Sequence, residues 1–170
     1  MAHLAIRGGS KVREKPFPGW PPVDDGFKTA LAEVIDGRSW GLGGPKQANF
    51  VKEFAAFCDA KFCVACTSGT TALEIALRAA GVGPGDEVIV PPYTFIATAS
   101  AAITVGAIPI FADILPDTLC LDPVAVETAV TESTAAVIPV HIGGMPADMD
   151  AIKRIAERHN LAVIEDCAQA

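Results

Sequence analysis

From Lys61 onward, apolar positions come in short unbroken runs separated by stretches in which they recur at helical spacing. The runs are Phe62–Cys66, Glu87–Val90, Ile108–Ala112, Ala135–Val140 and Leu161–Glu165. Runs of this length bounded by turn residues predict strands buried on both faces. Between them, Thr70–Ala80, Thr94–Thr104, Asp122–Thr131 and Ala147–His159 predict helices, with Asp122 capping the third. Residues 81–86, Gly-Val-Gly-Pro-Gly-Asp, predict a turn. Such alternation predicts an α/β fold, a parallel sheet with helices on its faces.

Upstream the rhythm is different. Residues 1–23 are rich in Gly and Pro and predict an irregular arm. Its aromatic residues ask for burial against another surface, such as a second subunit. Asp24 and Asp25 predict the cap of a helix running to about Asp36 and ended by Gly37. Residues 40–45, Trp-Gly-Leu-Gly-Gly-Pro, predict a loop. In the amphipathic helix that follows, Phe50, Phe54 and Phe57 recur at helical spacing and are expected in the core. The expected organisation is an arm, 1–23, followed by one domain, 24–170.

Composition narrows the class. Of 170 residues, 51% are hydrophobic and 19% charged, which supports a sizeable core and argues against disorder. The net charge of −7, without a Lys/Arg cluster, argues against nucleic-acid partners and against docking on anionic membranes. Residues 88–112 carry no charge and are long enough for a membrane span, but Pro91, Pro92, Gly106 and Pro109 favour a strand–helix–strand reading. The amino terminus lacks the apolar region of a secretory signal. Five cysteines without scaffold spacing predict buried thiols in a reducing cytoplasm. Cys63-Val64-Ala65-Cys66 is formally C-x-x-C, yet it lies in a predicted strand with no second Cys/His pair nearby, so no metal site is expected.

The candidate chemistry sits at the carboxyl ends of the predicted strands, where open α/β sheets bind ligands. Thr67-Ser68-Gly69-Thr70-Thr71 leads into a helix. Two readings are open there: the N–H groups of Gly69, Thr70 and Thr71 cradle a phosphate, or Ser68 or Thr70 simply caps the helix. It is neither a P-loop nor a G-x-G-x-x-G fingerprint. Tyr93 and Phe95 follow the next strand and would either stack on a flat heterocycle or belong to the core. His141 ends another strand on that edge, either near a ligand or satisfying backbone groups. Asp166 would hold a pyridinium nitrogen protonated, or cap the segment after it; Gln169 would donate to a ring oxygen. A phosphate cradle, a ring stacker and a pyridinium partner on one edge describe a pyridoxal phosphate site.

Five segments then occur in order and at fitting intervals: 68–73 (Ser-Gly-Thr-Thr-Ala-Leu), 85–91 (Gly-Asp-Glu-Val-Ile-Val-Pro), 93–97 (Tyr-Thr-Phe-Ile-Ala), 139–141 (Pro-Val-His) and 165–170 (Glu-Asp-Cys-Ala-Gln-Ala). This ordered set resembles the DegT/DnrJ/EryC1/StrS family of sugar aminotransferases, of pyridoxal-phosphate fold type I, over nearly the whole chain. The resemblance implies a three-layer αβα architecture with a mainly parallel sheet, the amino-terminal part of the large domain, preceded by the arm and helices. It implies that Gly69, Thr70 and Thr71 bind the cofactor phosphate, that Phe95 stacks on the pyridine ring, that Asp166 pairs with the ring nitrogen and that Gln169 contacts the 3-oxygen. Tyr93, His141 and Trp40 are expected near the substrate.

The resemblance further implies a cytoplasmic homodimer with active sites at the subunit interface. Its reaction would move an amino group from glutamate or glutamine to a keto-sugar or keto-cyclitol, with a lean toward cyclitols and amino-hydroxybenzoate precursors. None of the seven lysines (Lys11, Lys15, Lys28, Lys46, Lys52, Lys61, Lys153) matches the one that holds the cofactor covalently, which is expected beyond Ala170. The chain is therefore expected to be inactive by itself, with a sheet edge prone to aggregation. Two other readings accompany this one: a sugar 3-dehydratase of the same family, with His in place of that lysine, and a non-catalytic regulator or non-functional truncated product.

Overall fold

The computed structural model describes residues 3–41 and 43–170, so Leu42 of the predicted 40–45 loop and the first two residues of the arm lie outside the described residues. Its contacts group into two compact units, Met1–Ala65 and Cys66–Ala170.

In the first unit, a short 3-10 turn at Ala5–Arg7 precedes two helices, α1 (Asp25–Asp36) and α2 (Pro45–Phe57). The Asp24 side chain accepts from the Phe27 N–H at 3.1 Å and so caps α1. Pro45 opens α2, where its missing N–H and fixed φ cost nothing. Phe50, Phe54 and Phe57 share one face of α2 but are exposed rather than core. They pack on one another instead, with ring centroids 5.4 and 6.3 Å apart along the stripe. Helical spacing brings such side chains together; it does not supply a partner surface to bury them. In the arm, Phe17 and Trp20 are likewise exposed.

The second unit holds α3 (Gly69–Ala79), β1 (Glu87–Val90), α4 (Ala97–Thr104), β2 (Ile108–Phe111), α5 (Pro123–Ala129), β3 (Thr134–Val137), α6 (Met149–His159) and β4 (Ala162–Val163). The sheet order is β2-β1-β3-β4, and every pairing is parallel. The uncharged stretch 88–112 resolves into β1, α4 and β2, and among the described residues no helix is long and apolar enough to cross a membrane.

The predicted strand Phe62–Cys66 forms no ladder among the described residues; Phe62 and Val64 are exposed. An apolar run becomes a strand only when a neighbouring strand takes up its N–H and C=O groups, and the four strands present leave this run without one. The last strand is shorter than Leu161–Glu165, but the parallel line continues as an isolated bridge between Val140 and Asp166.

Strand alternation sends successive side chains to opposite faces, and both faces are covered. Val88, Val90, Ala136 and Ile138 pack with Leu73 and Leu77 of α3 and with Ala99, Ala101 and Ala102 of α4. Ile89 and Val137 pack on the other side with Val126 of α5 and with Ile152 and Ile155 of α6. These are three layers, helix–sheet–helix. From β1 the chain passes over one face to β2; from β3 it passes over the other face to β4. Loops leaving β1 and β3 therefore diverge, and a crevice opens between their carboxyl ends.

Candidate functional site

That crevice is present as a cleft of about 420 Å³, lined by Tyr93, Thr94 and Phe95 after β1, Ile142 and Gly143 after β3, Gln169 after β4, and Thr118 and Leu119 from the β2–α5 connection. The structure thus brings together Tyr93, Phe95 and Gln169. Phe95 is exposed, so a ring face is open to solvent. Leu119 holds a left-handed conformation at φ 61°, uncommon for a residue with a Cβ.

Asp166 is buried. Its backbone is locked to the loop after β3: the Asp166 N–H donates to Pro139 O at 2.9 Å, and the His141 N–H donates to Asp166 O at 3.2 Å. Its carboxylate accepts twice, at Oδ1 from the Ala168 N–H (3.2 Å) and at Oδ2 from the Thr98 hydroxyl (2.8 Å). The first contact is the local cap foreseen for this position. A carboxylate offers about four lone-pair directions, so acceptor capacity remains for a cationic donor.

Gln169 is oriented by chemistry. Its Oε1 accepts from the Gly143 N–H at 2.6 Å. A backbone N–H can only donate, so the amide oxygen must face Gly143 and the NH2 group is left to donate elsewhere. Gly143 sits at φ 59° in the 3-10 turn Ile142–Gly144, which aims that N–H.

His141 is also fixed in role. Its Nδ1 accepts from the Ala147 N–H at 3.1 Å, so Nε2 carries the proton and donates to Glu165 Oε2 at 3.0 Å. His141, Glu165 and Cys167 place possible metal-ligand atoms within 4.8 Å of one another. A metal on Nε2 would force the ring proton onto Nδ1, against the Ala147 N–H, donor facing donor. The site is built for a neutral histidine bridging backbone and carboxylate.

At the start of α3, Ser68 caps the helix: its Oγ accepts from the Thr71 N–H at 3.2 Å and lies 3.1 Å from Thr71 Oγ1. Helix geometry gives Gly69 and Thr70 no intrahelical N–H acceptor. A Cβ built on Gly69 would meet nothing within 4 Å, so the approach to this helix start is open. Because α3 packs on the sheet and hands over to β1 through a short turn, its amino end lies at the carboxyl edge. Gly69, Thr70 and Thr71 do not themselves line the cleft. Trp40 belongs to the other unit and is exposed. Sequence reasoning missed Thr94 and Thr98, whose Oγ1 atoms are 2.9 Å apart; their helical spacing beside Phe95 was the available signal.

A parallel three-layer sheet with an acidic residue, an open aromatic face and a helix amino terminus on its carboxyl edge accords with the pyridoxal-phosphate fold type I aminotransferases. The sequence model of the DegT/DnrJ/EryC1/StrS aminotransferase family matches residues 22–170, and the chain belongs to that family. It is 45% identical over 176 aligned positions to the L-glutamine:2-deoxy-scyllo-inosose aminotransferase of Streptomyces fradiae, an alignment covering 100% of this chain and 42% of the relative. The structure of 3-amino-5-hydroxybenzoic acid synthase matches with a TM-score of 0.87 at 42% identity, over 91% of this chain and 41% of that one. NtdA of Bacillus subtilis, with bound cofactor PMP, matches with a TM-score of 0.80 at 37% identity, over 92% and 38%. The chain spans about two fifths of the length of the curated relatives it matches.

Proposed function

We propose that residues 24–170 are the amino-terminal, cofactor-holding part of a pyridoxal-phosphate-dependent aminotransferase that moves an amino group from glutamine or glutamate to a keto-cyclitol or related keto-sugar. The observation that carries the reading is Asp166: a buried carboxylate, fixed at both oxygens, at the carboxyl end of a parallel strand. A buried anion is stable where a cation meets it, and a protonated pyridine nitrogen supplies one.

The residues present fit the group. Gly69 and Thr70 offer N–H donors to its phosphate at an open helix start, and the helix dipole favours the charge. Thr71 would contribute through its hydroxyl, since its N–H is held by Ser68. Phe95 would cover one ring face, Asp166 would hold the ring nitrogen, and the Gln169 amide would donate to the 3-oxygen. Tyr93 and His141 would lie toward the substrate. Bound there, the cofactor supplies an electron sink for carbanion chemistry. This chain's own part is to keep the ring protonated, clamped and oriented. The keto-cyclitol lean rests on the S. fradiae relative and on others named L-glutamine:2-deoxy-scyllo-inosose aminotransferase. A homodimer accords with the exposed aromatic faces of the first unit, and a cytoplasmic location is what the family resemblance implies.

The test is direct. The full-length protein, given L-glutamine and 2-deoxy-scyllo-inosose, should form the amino-cyclitol, detected by mass. Failure with this and with other keto-cyclitols and nucleotide-linked keto-sugars would contradict the assignment.

A further inference from the structure

One completely buried threonine is tied by its hydroxyl to Asp166 and by its backbone to Phe95 of the cleft. Thr98 lies in the first turn of α4 and is 0% exposed. Its hydroxyl donates to Asp166 Oδ2 at 2.8 Å. An ionised carboxylate can only accept, so the Thr98 proton is committed to it. In the 2.9 Å contact between the two threonines, Thr94 must then be the donor and Thr98 Oγ1 the acceptor. The result is a one-way chain, Thr94 to Thr98 to Asp166. The Thr98 N–H also donates to Phe95 O at 3.1 Å. One residue therefore ties the aromatic that would cover a ring face to the carboxylate that would meet the ring nitrogen.

We propose that Thr98 is a positioning residue for the cofactor ring: it orients Asp166 through its hydroxyl and stabilises the anionic carboxylate, so that a shared proton stays on the ring nitrogen. The physical reasoning has one sign. A hydrogen bond to an anion lowers its proton affinity. Removing the Thr98 hydroxyl leaves Asp166 a stronger base with one fixed contact fewer, and both effects draw the proton off the ring. Thr94 acts a step further out, holding the Thr98 rotor in its donating orientation. The proposal rests on the reading that Asp166 meets a pyridine nitrogen, and the experiment separates the two.

Pyridoxamine 5′-phosphate labelled with 15N at the ring nitrogen is titrated into the full-length protein, and its ring 15N shift and dissociation constant are read. The native protein should give a pyridinium signal. Thr98→Val keeps the methyl group and volume but removes the hydroxyl; it should move the signal toward neutral pyridine and weaken binding about tenfold. Thr98→Ser keeps the hydroxyl and loses the methyl; it should restore both, the reverse of what a packing role would give. Thr94→Val, which leaves the Thr98 hydroxyl in place, should shift the signal part of the way, and it decides the matter should Thr98→Val fail to fold. A native-like signal in Thr98→Val, or in Thr94→Val where it alone folds, overturns the positioning role. Asp166→Asn separates the layers: if it neutralises the ring while the threonine variants do not, only the Thr98 proposal falls. A pyridinium signal that survives Asp166→Asn removes the underlying reading as well.

Discussion

A glutamine amide is ambiguous until something fixes its two ends, and Gly143 fixes Gln169. With Oε1 held by the Gly143 N–H, the NH2 end is the one left to meet a ligand oxygen. Gln169→Glu would keep the acceptor for Gly143 but present a second anionic oxygen where a donor is needed. Pyridoxamine phosphate should then bind at least about tenfold more weakly, measurable by fluorescence titration, with folding unchanged. Ser68 is the other fixed residue, and Ser68→Ala should cost about 1 kcal/mol of stability in chemical denaturation through loss of the α3 cap. The strand-end position of Asp166 was legible in the sequence because a polar residue closely following an apolar run stands at the end of a strand. Thr98 was missed because its helical spacing from Thr94, the one signal available, does not name the carboxylate that its hydroxyl meets in the folded chain. The His141 tautomer was equally hidden, since it is set by the N–H of Ala147, a contact made only in the folded chain.

At the scale of elements, local pattern decided what pairing did not have to decide. The turns were readable because they contain glycines that the backbone requires. Gly106, between α4 and β2, sits at φ +89° with a built Cβ only 3.0 Å from the Pro84 side chain. Gly106→Ala should destabilise by more than about 1 kcal/mol in denaturant unfolding, from the left-handed backbone and the contact together. Leu77, wholly buried under α3, should cost about 2–5 kcal/mol as Leu77→Ala. Phe62–Cys66 and the α2 phenylalanines mark the limit of such reading. Both have the right local rhythm, but ladder formation and burial depend on a partner surface that rhythm does not specify.

Helices α5 and α6 carry a pH-dependent clasp. The His159 hydrogen bond holds the Glu127 carboxyl below its ordinary range, with Arg158 adding to the effect. A folded-state value below the unfolded one gives stability that is present above the unfolded value and lost as pH falls through the folded one. Glu127→Gln should therefore lower the neutral plateau of a thermal-melt pH profile slightly and converge with the native protein in acid, which flattens the acid limb.

For the whole molecule, two covered sheet faces and two largely uncovered helices describe a chain whose first unit presents apolar surface. Trp20 and Trp40 are 90% and 72% exposed. If the proposed homodimer covers them, tryptophan emission of the full-length protein should be blue-shifted when assembled and move to the red on dilution below the dimer dissociation constant. Emission already characteristic of exposed tryptophan at high concentration would contradict that role for the arm. The central claim is that the carboxyl edge of this sheet grips a pyridine cofactor by Asp166. The most direct test is a crystal structure of the full-length protein with pyridoxamine 5′-phosphate. The account predicts the phosphate on the Gly69 and Thr70 N–H groups, the ring face against Phe95, the ring nitrogen on Asp166 and the 3-oxygen on the Gln169 amide. A ring bound elsewhere, or one whose nitrogen faces away from Asp166, would contradict it.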